Sequence, residues 1–319
     1  MQAPQPGHSR PDPGHGRAAV AGVPELDQKR GVLLAALGVL LLTPDSLLIR
    51  LIQAETSTLL FWRGLFQCLA VFLLLSVRSR GKVRSRLRAM GRAGWGVAVL
   101  MACGNGLFIL SIRLTAVSNT LLIVSSAPLL GAIFTRIFLR EAVPPRTWIA
   151  ALAGLVGVGI IFSGSIGADD AHRLGDLFAF GVAVISGGTF VLIRSVRDVS
   201  VAPAVGLAGG LVALLALPWV QVFRVIPLDL LWLLLLGVVI MPISFGLIVQ
   251  APRYIPAPEV SLIMLFETLL GPFWVWLVFS EAPPPATWAG GALLLTTVAL
   301  HSILALRHTL RGPSNAARI

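Results

Sequence analysis

Long apolar runs alternate with short polar breaks along this chain, and no other pattern in it is as regular. A helix needs about 20 apolar residues to cross the hydrocarbon of a bilayer. Ten runs meet that length, near 31–52, 57–77, 93–114, 117–138, 146–164, 174–194, 202–222, 229–250, 257–280 and 287–306. The breaks at 53–56, 115–116 and 281–286 are so short that the helices they join must be antiparallel neighbours. The pattern predicts an all-α integral membrane protein of ten transmembrane helices.

Composition agrees with that reading. Hydrophobic residues make up 56% and charged residues 12% of the 319, with a mean hydropathy of +0.87; soluble domains carry about 25% charged residues. Segment 1–30, rich in Pro, Gly and charge, cannot bury enough apolar surface to order itself and is expected to be a disordered head. The run after Lys29 and Arg30 is long enough to span and shows no small-residue cleavage site, so it reads as a retained first helix. Residues 307–319 form a basic tail.

The net charge of +11 would suit a nucleic-acid binder, but its distribution argues for topology instead. Arg78, Arg80, Lys82, Arg84, Arg86, Arg88 and Arg92 share one linker, Arg136, Arg140 and Arg146 flank another, and Arg307, Arg311 and Arg318 lie in the tail. Cytoplasmic loops carry the excess of Lys and Arg. With the N-terminus inside, the cytoplasmic segments collect the basic linker, Lys29, Arg30, Arg194, Arg197, Arg253 and the tail, leaving Arg50, Arg113, Arg173 and Arg224 on the other side. The expected location is the inner or plasma membrane, multi-pass, with both termini cytoplasmic. Partners are membrane lipid and a small-molecule substrate, not nucleic acid. Cys68 and Cys103 sit inside apolar runs, where the small soft side chain packs like Ala or Ser; no disulfide, metal site or cofactor is indicated.

Internal repetition sharpens the picture. Glu141-Ala142, Pro144-Pro145 and Thr147-Trp148 recur 140 residues later as Glu281-Ala282, Pro284-Pro285 and Thr287-Trp288. The same offset maps Gly106-Leu107 onto Gly246-Leu247 and Leu130-Gly131 onto Leu270-Gly271, and an offset of 144 maps Leu48-Ile49-Arg50 onto Leu192-Ile193-Arg194. Residues 31–164 and 174–306 are therefore two copies of one five-helix unit. Five is odd, so the second copy enters the membrane from the opposite face, and the repeats are inverted. Such repeats suit alternating access, in which two equivalent halves exchange conformations around a central site.

Several local features resemble the drug/metabolite transporter superfamily in its EamA-type branch. They are Phe61-Trp62-Arg63 opening the second run, the small-residue approach to Pro128, and Leu139-Arg140-Glu141 with its counterpart Phe279-Ser280-Glu281, each before a Pro-rich turn. Leu174-Gly175-Asp176 at the sixth run completes the set. The resemblance covers nearly all of 31–306 and implies ten helices around a central cavity and transport of small organic solutes, commonly export coupled to an ion gradient. One departure is that Pro128 corresponds to Thr268 in the second copy, with Glu267 before it and Pro272 after.

Charge inside the membrane marks the candidate site, because a charged side chain at mid-bilayer costs at least about 2.5 kcal/mol. Asp45 and Arg63 lie nine residues either side of position 54, so they reach one depth on adjacent helices. They are expected to pair, either as a structural pin or with Arg63 free to clamp a substrate carboxylate. Glu267 lies near mid-depth among Leu265, Phe266, Leu269 and Leu270. Desolvation favours the protonated form of a carboxyl so placed, which makes it the candidate for proton or cation coupling, against a plain packing role. Thr43-Pro44-Asp45 corresponds to Gly187-Gly188-Thr189 at the 144 offset, so both halves are expected to be weakened at one place, with freed carbonyls facing the cavity. Asn105, between Gly104 and Gly106, is a candidate hydrogen-bond donor. Trp62, Phe266 and Trp274 are candidate cavity aromatics. Gly154, Gly157, Gly159, Gly290 and Gly291 read as packing positions, His301 as structural, and Glu141 and Glu281 as caps of the helices that follow.

The combined expectation is a secondary transporter, an exporter of amino-acid-like or drug-like solutes, with Glu267, Arg63, Asp45, Asn105, Trp62, Gly188 and Thr189 contacting substrate or coupling ion. A passive facilitator or channel is the alternative. An enzyme is disfavoured, since neither HExxH nor a Ser/His or Asp pair at catalytic spacing occurs.

Overall fold

The computed structural model describes residues 25–78, 83–140, 144–165, 169–195, 202–220, 225–248, 250–251, 254–255 and 257–311. Arg80, Lys82, Glu141, Arg197, Arg224, Arg253 and Arg318 lie outside them, as do most of the head and the end of the tail. Backbone groups inside hydrocarbon must be satisfied internally, which leaves helices for apolar runs of this length. Among the described residues ten helical spans are long and apolar enough to cross a membrane: Gln28–Leu51, Thr56–Arg78, Gly91–Leu114, Val117–Phe138, Pro145–Gly164, Asp170–Ile193, Ala202–Trp219, Pro227–Ile248, Leu262–Phe279 and Pro285–Leu304. Each falls within a few residues of its predicted run. Large apolar side chains such as Leu73, Ile149, Leu214 and Trp276 point outward, as lipid-facing positions should.

Exchange of each span for its counterpart five places along preserves the most extensive contacts between spans. The first span packs on the eighth and the third on the sixth; the second packs on the eighth and the third on the seventh; the first packs on the ninth and the fourth on the sixth. The second with the seventh, the fourth with the ninth and the fifth with the tenth are their own counterparts. A matching detail ends the fourth and ninth spans, where Arg140 and Ser280 both adopt φ of 54°. They are 140 residues apart and stop their helices in the same left-handed conformation, an uncommon one for a residue with a Cβ.

Two self-paired contacts depend on missing side chains. A Cβ on Gly64 would stand 2.5 Å from the Gly209 carbonyl oxygen, and one on Gly209 would stand 2.7 Å from that of Gly64. Between the fifth and tenth spans, Gly157 and Gly290 approach as closely, at 2.9 and 2.5 Å. Small residues let backbones touch where lipid supplies no hydrophobic drive for association. Gly159, read from sequence as another packing position, instead has nothing within 4 Å of its Cβ site and is exposed.

Three spans are interrupted. The first turns at Thr43–Pro44 between helices Glu25–Leu42 and Asp45–Leu51, the fourth breaks at Ser125–Ser126 ahead of Pro128, and the eighth widens into a π-helix over Leu235–Ile240. The sixth does not break, contrary to the expectation from Gly187-Gly188-Thr189: its helix Asp170–Ser195 runs straight through. Glycine keeps the backbone donor that proline removes, so Gly187 and Gly188 leave the helical ladder whole. Gly187 instead lets the fourth span close in, since its Cβ site is 2.9 Å from the Gly131 nitrogen. Thr189 bonds back to the Ile185 carbonyl at 2.7 Å.

Gly64→Leu or Gly157→Leu should therefore cost the folded protein about 1–3 kcal/mol or more through overpacking. Gly159→Leu should cost little. Thermal stability of the detergent-solubilised protein, followed by fluorescence-detected gel filtration, separates the two outcomes.

Candidate functional site

Asp45 opens the helical segment after the first-span break, and Arg63 faces it from the second span. Arg63 Nη2 donates to Asp45 Oδ1 at 2.8 Å and to Oδ2 at 3.0 Å, with both residues buried. The two-sided count from residue 54 thus finds a real partner. Arg63 Nε is buried without a hydrogen-bond partner among the described residues, as are Ser46 Oγ, Trp62 Nε1 and Ser244 Oγ. The break itself is closed: Thr43 Oγ1 donates to the Leu40 carbonyl at 2.9 Å and accepts from Trp274 Nε1 of the ninth span at 3.1 Å. The carbonyl orphaned by Pro44 is therefore taken up locally and does not face a cavity, contrary to the expectation. Ser125 and Ser126 do the same in the fourth span, donating to the Leu122 and Ile123 carbonyls.

Glu267 shares its helix face with Val260, Gly271 and Trp274, which are buried or half-buried, and turns away from exposed Phe266, Leu269 and Phe273. Residues three, four and seven apart lie on one helix face. Glu267 itself is half-buried. Asn105 is placed the same way: Ala98, Ile109 and Ile112 on its face are buried while Asn105 is half-buried. Gly188 has nothing within 4 Å of its Cβ site. Trp62 is half-buried against Phe61 and Phe66, whereas Phe266 is 58% exposed and belongs to the lipid face. The structure brings Asp45, Arg63, Glu267 and Trp274 to one locus between the first, second and ninth spans. It leaves Thr189 bonded within its own helix.

A second polar region lies at the side opposite the N-terminal end of the first span. Arg50 Nη2 donates to the Thr115 carbonyl at 2.8 Å and reaches Glu281 Oε1 at 3.3 Å. Glu281 also accepts from the Val117 nitrogen at 3.4 Å, so it joins three turns and does not cap the tenth span as its position suggested. Arg113 Nη2 donates to the Ile52 and Ala54 carbonyls, and Asp229, buried at the start of the eighth span, accepts from the Gln53 and Ala54 nitrogens. Below them buried Asp176 accepts from Thr115 Oγ1 at 2.7 Å, from Asn119 Nδ2 at 3.1 Å and from Ser165 Oγ, while Asn119 Oδ1 accepts from Thr287. Sequence reasoning passed over Asp229, Asn119 and the bridging role of Asp176, because their partners lie tens to hundreds of positions away. A carboxylate within a turn or two of a span end was the available signal.

The family comparison fits both regions. The model of the EamA-like transporter family matches residues 29–163 and again 173–303, one match to each five-span copy. The chain belongs to the EamA-like transporter family. A solved structure titled only "Crystal structure of protein" is similar, with a TM-score of 0.62 and 21% identity over 88% of this chain and 99% of that one; at that identity it speaks for the fold alone. No curated protein matches. The EamA-like assignment makes the chain a membrane transporter of small solutes.

Asp45→Asn or Arg63→Gln alone should destabilise the protein by about 3–5 kcal/mol, since each strands a buried charge. The double variant should recover part of the loss. A double-mutant cycle on detergent unfolding midpoints checks the coupling.

Proposed function

We propose that this EamA-like protein is a secondary transporter that exports amino-acid-like or drug-like solutes by alternating access, with Glu267 as its proton-coupling carboxyl. The side carrying the N-terminus and the Arg84–Arg92 linker is taken as cytoplasmic, on the excess of Arg there. The observation that carries the proposal is the polar network at the outer end of the bundle. At the outer end, Arg50, Arg113, Asp229 and Glu281 tie together the turns of the first four and last three spans. Toward the cytoplasmic end, Gln67 Nε2 donates to the Val205 carbonyl and the Arg30 guanidinium lies over the Tyr254 ring. A seal on one side above half-buried polar groups is what an inward-facing, loading-ready state requires.

Asp45 holds the Arg63 guanidinium at 2.8 Å, and Glu267 stands on the ninth span, which packs on the first. With Arg63 engaged by Asp45, Glu267 is left to exchange its charge against a proton or a cationic group as the halves rock. Export as the direction rests on family membership, and the inward-facing seal is consistent with it.

Proteoliposomes loaded with a pH-sensitive dye and challenged with a panel of amino acids and amphiphilic amines test the reading. Solute-driven proton flux is expected with the native protein, absent with Glu267→Gln and partly kept with Glu267→Asp. Solute movement that needs no proton and survives Glu267→Gln would instead make the protein a passive facilitator.

A further inference from the structure

Between the second and third spans lies helix Val83–Ala89, which the transport cycle leaves unused. Val83 packs against the cluster that Val71, Leu75 and Val205 form, and Leu87 against the cluster of Met90, Val97, Ala98 and Ala204. Val83, Leu87 and Met90 follow at intervals of four and three, one face of a helix. That face rests on spans from both halves of the bundle, while Arg84, Arg86 and Arg88 are exposed, with Arg78 and Arg92 exposed at the adjoining span ends. No Asp or Glu occurs between Arg78 and Arg92 in the sequence, and no ion pair reaches these five arginines among the described residues. Gathered on one exposed face, they favour an anionic partner.

The depth of the patch identifies the anion. Trp95, 48% exposed one turn after Arg92, and Val77, 72% exposed just before Arg78, place the boundary between hydrocarbon and headgroups at the same level. Exposed Trp concentrates at that boundary, and Arg stems lie along apolar surface while their heads reach for phosphate. We infer that helix Val83–Ala89 and its flanking arginines form a docking surface for anionic phospholipid headgroups. The surface takes phosphodiester anions through guanidinium contacts, at roughly fivefold in affinity per arginine near a charged leaflet. Its assignment to the cytoplasmic leaflet rests on the orientation proposed above; the lipid preference itself does not.

Spin-labelled phosphatidylglycerol and phosphatidylcholine in nanodiscs holding the full chain provide the test. The native protein should immobilise phosphatidylglycerol severalfold more than phosphatidylcholine, and 0.5 M salt should erase most of the difference. In the triple variant R84Q/R86Q/R88Q the preference should fall to near parity, whereas R84K/R86K/R88K should keep most of it. An equal hold on both lipids by the native protein, a preference unaffected by salt, or an undiminished preference in the Gln variant overturns the inference, as does binding of soluble polyglutamate in place of lipid. Should the Gln variant fail to fold, salt dependence and the Lys variant decide. Labelling of Ser85→Cys with an impermeant maleimide from each side of spheroplasts tests the orientation separately.

Discussion

Hydrocarbon cannot solvate an isolated charge, and that constraint organises the interior of this protein. Asp45 and Arg63 neutralise each other at 2.8 Å on neighbouring helices. The geometry that allows it is the short turn at residues 52–55, which sets both side chains at equal height. The same turn is gripped from outside the hairpin by Arg113 and Asp229. Pair and turn therefore fix the first two spans as a unit, against which the ninth span brings Trp274 and Glu267. Glu267 is the group proposed to meet a proton or a cationic solute.

The two halves share a scaffold and differ in chemistry. Glycine contacts, the left-handed endings at Arg140 and Ser280, and the exchangeable set of neighbours all respect the repeat. The buried ionisable groups do not. The position of Asp45 is taken by Thr189 in the second copy, and the first-span break has no counterpart in the sixth. Packing follows the repeat, whereas the buried charges are confined to particular spans. The break in the fourth span and the π-helix in the eighth are likewise placed without regard to the repeat, which gives the two halves different local flexibility.

Much of the fold could be read from the sequence, because apolar length, turn length and the offset of the repeat are one-dimensional signals. The Asp45–Arg63 pair was legible for the same reason: two residues equidistant from a tight turn must meet. The outer network was not, since Arg50 with Glu281 and Asn119 with Asp176 join residues that only tertiary packing brings together. The expected weakness at Gly187-Gly188 was misread. Proline and glycine both disfavour helices in water, but inside a packed bundle glycine retains its hydrogen bond and offers a close contact, as Gly187 does against Gly131. The expectation of freed carbonyls failed too, because the hydroxyl of Thr43, one residue before Pro44, occupies the acceptor that proline leaves empty.

The central claim is a polar interior that is open to one side of the membrane at a time, and accessibility of one interior position tests it most directly. The probe is Asn105→Cys in a chain whose Cys68 and Cys103 are replaced by Ala, reacted with an impermeant maleimide added to either side of sealed vesicles of known orientation. Labelling is predicted from the N-terminal side alone, shifting toward the other side when Glu281→Gln removes the partner of Arg50. Labelling from both sides at once in the parent chain, or a pattern indifferent to Glu281, would contradict the account.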